Sequence, residues 1–213
     1  MLSSSTVADA VQYSRSRLLR WRIVALWALL VATRLVAAPL PGAASVVAPA
    51  LFLALALVLL RLWDDLADLE HDRAQHPQRV LVQSANRRSF AVVVALGLLL
   101  MVVALLEDGR RVAVYGTLLA SLGLLYHSGL RTRVPRAVRA GLVLIKYPVL
   151  VFLAGAGPSR QACVAGLALY VALLVYDWRD DPELRAAPWP QVLLGGGVGM
   201  ALIAWLFLVG GAP

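Results

Sequence analysis

Apolar residues in this chain run in seven stretches, with the charges gathered between them. The stretches cover roughly residues 23–38, 44–62, 89–106, 112–128, 138–156, 161–177 and 190–210. The third is the cleanest, with no charge from Ser89 to Leu106. Runs of this kind suit the ~20 residues that a helix needs to cross a bilayer while satisfying its own backbone. Turn residues separate them: Pro39, Pro41 and Gly42 after the first, Glu107-Asp108-Gly109 after the third, Gly157-Pro158 after the fifth. The pattern predicts one all-α transmembrane helical bundle over residues 1–213, with about seven spans. Residues 1–14 read as a loose N-terminal tail, with a surface helix from Val7 to Arg20 as the other reading.

Composition agrees with the pattern. The chain is 61% hydrophobic and 15% charged, with a mean hydropathy of +0.77. A soluble domain of this size would have to expose much of that apolar surface. The formal charge of +8 does not indicate nucleic acid, because the basic residues lie between the apolar runs instead of in one patch. Fifteen arginines fall before the first run or after the second, fourth and sixth, whereas Arg110, Arg111 and Arg160 fall in the alternate loops. That bias predicts a cytoplasmic N-terminus and cytoplasmic exits of the even-numbered helices. Arg34 interrupts the first run, which argues against a cleaved signal peptide. Arg34 is expected to snorkel outward. The single Cys163 forms no internal disulfide.

The acidic residues change the picture from composition to chemistry. Nine of twelve fall in two places: Asp64, Asp65, Asp68, Glu70 and Asp72 after the second run, and Asp177, Asp180, Asp181 and Glu183 after the sixth. At ~100° per residue, Asp65, Asp68 and Asp72 lie about 100°, 40° and 80° from Asp64 on a helix, so four carboxylates share one arc. Asp177, Asp180 and Asp181 share a similar arc, although Pro182 disfavours a helix continuing through Asp181. Like charges on one face repel. A divalent cation that prefers oxygen relieves this, and Mg²⁺ needs only one or two carboxylates beside phosphate oxygens and waters. The plainer reading is a solvated helix end.

These residues resemble the UbiA-type intramembrane prenyltransferases. The family's first motif, N-D-x-x-D-x-x-x-D after its second helix, is similar to Asp64-Asp65-x-x-Asp68-x-x-x-Asp72, with Asp in the leading position. Arg79 to Ser84 resembles a degraded form of the stretch that follows it. Asp177, Arg179, Asp180 and Arg185 fit the second motif, D-x-R-D-x-x-x-D-R, where Leu184 replaces an acid. Tyr126 to Arg133 resembles the segment Y-S-x-P-L-R-x-K. The family usually has nine helices, and seven are read here.

The resemblance implies a Mg²⁺-dependent enzyme. It would ionise an isoprenyl diphosphate and transfer the prenyl group to an acceptor such as an aromatic ring, with the active site facing the cytoplasm. Metal would be held by Asp64, Asp65, Asp68, Asp72, Asp177, Asp180 and Asp181, of which Asp64, Asp68, Asp177 and Asp181 carry catalysis. Arg79, Arg131, Arg133 and Lys146 are candidates for the diphosphate, and their positive-inside role explains the arginines equally well. Lys146 lies inside the fifth run and requires a cavity, an Asp partner or an aqueous route. Tyr126, Tyr147, Tyr176 and Trp178 are candidates for stabilising a carbocation, or are interfacial aromatics. The glycines from Gly195 to Gly199 read as a close helix contact. Two other readings remain: a membrane terpene cyclase of the same superfamily, with no acceptor, and a non-catalytic membrane protein that binds lipid or a partner.

Overall fold

The computed structural model describes residues 4–38, 42–128, 133–157 and 159–208. Pro39, Pro41 and Pro158, expected as breakers, and the candidate Arg131 lie outside the described residues. Helix makes up 87% of the described residues, and no strand occurs among them. The helices are α1 (Ser4–Tyr13), α2 (Trp21–Ala37), α3 (Val47–Ala67), α4 (Leu69–Gln75), α5 (Val80–Gln83), α6 (Arg87–Ala104), α7 (Gly109–His127), α8 (Arg136–Leu144), α9 (Lys146–Val151), α10 (Arg160–Asp180), α11 (Pro182–Ala186) and α12 (Trp189–Leu208). Wider π-type turns follow α1 over Ser14–Leu18 and α9 over Phe152–Ala156.

Five helical segments are long and apolar enough to cross a membrane: Val47–Ala67, Arg87–Ala104, Arg136–Ala156, Arg160–Asp180 and Trp189–Phe207. The first and fourth expected runs also form helices, α2 and α7, but fall short of that standard. Helix α2 has only 17 residues, and α7 carries Arg110 and Arg111 in its first turn. The outward faces of the five support a bilayer as solvent. Leu96, Leu99 and Leu100 on α6 and Leu193 and Leu194 on α12 are all more than half exposed. Left in water, each large apolar side chain forgoes about 1.5–3 kcal/mol of burial, and a patch of this extent marks an apolar surrounding. The chain is an integral membrane protein by this measure.

The chain forms two compact units, residues 1–28 with 54–107 and residues 29–53 with 108–213. In the first, α1 packs on α5, and α5 on α4. Tyr13, Leu62, Leu81, Phe90 and Val94 form its apolar cluster, with Tyr13 only 3% exposed. The segment expected as a loose tail is therefore helical from Ser4 and docked through Tyr13. A polar contact fixes it as well, since Asp9 accepts from Ser84 Oγ at 2.6 Å and from Asn86 Nδ2 at 3.1 Å. The Ser84 bond, and then the Asn86 bond, lower the Asp9 pKa below its ordinary value. A carboxylate with a lowered pKa stabilises the fold above its ordinary titration range and loses that contribution as pH falls through the lowered value. Acidification below about pH 4 should therefore loosen α1, read as faster amide exchange of that helix, and Asp9→Asn should reduce the pH dependence to the part that Asp65 supplies through Tyr13.

In the second unit α12 packs against α8 and α10. A Cβ on Gly141 would meet the Gly195 carbonyl carbon at 2.7 Å, and one on Gly195 would meet Val138 Cα at 2.8 Å. The two helices thus cross with their backbones in contact, as the glycine run suggested. Tyr170, fully buried on α10, places its hydroxyl 3.0 Å from the Gly141 carbonyl and 3.2 Å from that of Gly195. A Cβ on Gly197, by contrast, would meet nothing within 4 Å. Gly195→Ala should destabilise by about 1–3 kcal/mol or more through overpacking, whereas Gly197→Ala should be neutral or stabilising through helix propensity. Equal thermal unfolding of the two variants would contradict this crossing.

Arg34 departs from expectation. It is 5% exposed and donates Nε to the Ala154 carbonyl at 2.8 Å, and Nη1 to that of Ala38. The reason is the break near the end of the helical segment Arg136–Ala156. Gly155 has φ +97°, and this left-handed turn ends the helix, so Ala154 lies among the last carbonyls, which find no donor within the helix; four residues on stands Pro158, which has no N–H. A guanidinium supplies the donor that lipid cannot.

Candidate functional site

The site residues of the first unit follow from where an apolar helix meets polar residues. Helix α3 is buried at Leu59, Leu60 and Leu62 and then reaches Asp64 and Asp65. It breaks at Asp68, whose φ of −90° and ψ of 5° leave the helical region. The break is small. Asp68 N–H still donates to the Asp64 carbonyl at 3.0 Å, and Asp72 N–H to that of Asp68 at 2.8 Å. Asp64, Asp68 and Asp72 thus remain about one turn apart, with Asp65 next to Asp64, but the environments of the four diverge. Asp65 and Asp72 are buried at 5% and 3% exposure, whereas Asp64 and Asp68 are half-buried.

Asp65 is the most heavily bonded carboxylate. Arg17 grips it with two bonds, Nε to Oδ2 at 3.0 Å and Nη2 to Oδ1 at 2.7 Å. Tyr13 donates its hydroxyl to Oδ2 at 2.9 Å, and Arg61, one turn back on α3, adds an ion pair at 3.2 Å. A carboxylate offers about four lone-pair sites, so these four contacts fill Asp65. The Asp65 bonds, against the cost of burial, raise the Arg17 pKa above its ordinary value. Burial, followed by the nearby Asp65 charge, raises that of Tyr13, so its hydroxyl stays a donor. Asp72 pairs with Arg79 Nη1.

A cavity of about 350 Å³ opens beside these pairs, and Arg17, Arg20, Asp65, Asp72, Gln78 and Arg79 are among its walls. Sequence reasoning singled out Asp65, Asp72 and Arg79 here. It treated Arg17, Arg20 and Arg61 only as flanking charge, and it missed Tyr13. The signal was present in the spacing of Tyr13 and Arg17, four apart, which sets both on one side of a turn.

The second acidic group belongs to the second unit. Asp177 and Asp180 sit on the last turn of α10, which ends at Asp180 ahead of Pro182. Asp181 caps α11 instead, its Oδ1 accepting from Glu183 N–H at 2.8 Å. Arg136, at the start of α8, bonds Asp181 Oδ2 at 2.7 Å and also pairs with Glu183. Asp181 therefore has a local structural role as a cap and ion-pair partner. Lys146 is 2% exposed, acts electrostatically on Asp177, and holds Nζ 5.4 Å from the Tyr147 ring centroid. That burial favours the partnered reading of Lys146 over an aqueous route.

The remaining candidates scatter. Arg133 is exposed just ahead of α8, and Tyr126 is half-buried near the end of α7. Tyr176 is 45% exposed, and Trp178 lies 5.8 Å from Trp189, ring to ring. Among the described residues no group of three or more His, Cys, Asp or Glu side chains is gathered as for a metal ion. Comparison with family models, curated proteins and solved structures yields no match.

Proposed function

We propose that this protein is a Mg²⁺-dependent membrane prenyltransferase, acting in the inner or plasma membrane on an isoprenyl diphosphate and an acceptor such as an aromatic ring. The reading rests on one observation above others: carboxylates and guanidiniums share a cavity at the polar end of a membrane-length apolar helix. The proposed topology has seven spans, adding α2 and α7 to the five, with the N-terminus and both acidic groups on the cytoplasmic side, as the arginine bias favours.

The donor set fits Mg²⁺ in a restricted way. Asp65 has no lone pair to spare, and Asp72 is engaged by Arg79. Asp64 and Asp68, four residues apart and half-buried, supply the one or two carboxylates that Mg²⁺ takes when phosphate oxygens complete its shell. Asp177 and Asp180, three apart at the end of α10, offer a second such pair. Mg²⁺ held there would neutralise the departing diphosphate and lower the barrier to ionisation.

The chain's own residues supply the rest. Guanidinium donors stabilise charge as it develops on the bridging oxygen. The C1–O bond breaks and its electron pair leaves with the diphosphate. The allylic cation then bonds to the acceptor, which gives up a proton, while apolar helices exclude water.

The test is to incubate the detergent-purified chain with Mg²⁺ and geranyl, farnesyl or geranylgeranyl diphosphate, with and without aromatic acceptors. Acceptor-dependent diphosphate release with a prenylated product is expected. A cyclic hydrocarbon or alcohol formed without acceptor would reassign the chain to terpene cyclisation. No diphosphate release under any condition would remove both enzymatic readings and leave a lipid- or partner-binding membrane protein.

A further inference from the structure

We infer that the N-terminal helix completes a phosphate-binding site, in which Arg17, Arg20 and Arg79 are the ligands of the anion and Asp65 and Asp72 are positioning residues for two of them. The inference rests on the prenyl diphosphate reading only for the identity of the anion.

The argument is one of donors and acceptors. A guanidinium has five N–H donors. Arg17 uses two on Asp65, and Arg79 is bound to Asp72 through Nη1. Both retain donors beside the cavity, and Arg20 adds its own at the exposed end of the π-type turn. Gln78 adds an amide. Against these stand two carboxylates. Asp65 is filled by Arg17, Arg61 and Tyr13, and both are buried. The cavity walls thus carry three guanidiniums to two carboxylates and a surplus of donors, and a ligand rich in acceptor oxygens balances both.

The fixed geometry carries the inference further. Long arginine side chains lose rotamer entropy when they bind. Here Asp65 holds Arg17 in a two-bond fork and Asp72 holds Arg79, so part of that cost is met before a ligand arrives. Tyr13 and Asp9 anchor the helix that brings Arg17 and Arg20 to the site. On this assignment the aspartates of the helix exit divide their labour. Asp64 and Asp68 serve the metal, and Asp65 and Asp72 orient the phosphate ligands.

Inorganic pyrophosphate is the probe, titrated calorimetrically into the full chain with EDTA present. The parent should bind it. Arg20→Gln, an exposed change that spares the ion pairs, should weaken binding by about tenfold or more, as should Arg79→Gln. Glu70→Gln, an exposed change outside the cavity walls, should bind as the parent does. Parent-like binding by Arg20→Gln, or parent binding only when Mg²⁺ replaces EDTA, would overturn the assignment. The same titration in nanodiscs separates the sources of phosphate. Loss of binding in phosphatidylglycerol but not phosphatidylcholine assigns the site to a lipid headgroup and overturns the diphosphate part. Should prenyl diphosphates give no turnover while the arginine pattern persists, the phosphate site stands and the enzymatic reading falls.

Discussion

Asp68→Asn should slow Mg²⁺-dependent diphosphate release by about 10²–10³-fold, the range that follows loss of one group stabilising charge in a transition state. Asp68 is half-buried at the break after α3, one turn from Asp64. Losing its charge leaves Asp64 alone on that turn, and a single carboxylate holds Mg²⁺ less well at a given concentration. The defect should therefore ease partly when Mg²⁺ is raised. Glu70→Gln is the matched control, since Glu70 is exposed and off the arc of the aspartates; its rate should equal the parent's. Rates within threefold for Asp68→Asn and the parent would remove the metal pair and the enzymatic reading with it.

The largest stability effect is expected at Asp65. Asp65→Ala removes the acceptor of Arg17, Arg61 and Tyr13 at once. The Asp65 side chain is 7% exposed and that of Arg17 18%, so solvent replaces little of what is lost. Breaking one partner of a buried pair costs about 3–5 kcal/mol, because the other charge stays buried without compensation. Denaturant titration in mixed micelles should show that loss. Arg17→Ala should cost less, since Arg61 and Tyr13 still serve Asp65. The double variant should cost less than the two single changes together, as expected for residues in contact. Strict additivity would mean that α1 is not held by this pair.

These two aspartates show how much of the site could be read from sequence. Adjacent in the chain and within one arc of about 100° in a helical projection, Asp64 and Asp65 looked interchangeable as metal ligands. Helical register gives direction but not neighbours. Asp65 faces α1 and meets Tyr13 and Arg17, about fifty residues away in sequence. Register alone held no information about that packing. Arg34 gives the same lesson. Its sequence position suggested an exit to water, but the break at Gly155 offers it a carbonyl instead.

What the sequence determined by itself was the helical plan. Long apolar runs have few alternatives in or near a bilayer, because only a helix satisfies each run's backbone internally. The breaks were equally legible where chemistry dictates them, as at Pro182, which ends α10 at Asp180. The glycines of α12 announced a close crossing for the same local reason. Only the tertiary structure decided which charges pair with which. Ion pairs form between side chains that packing brings within 3 Å, and the docking of α1 assigns Asp65 to Arg17 while leaving Asp64 and Asp68 half-buried.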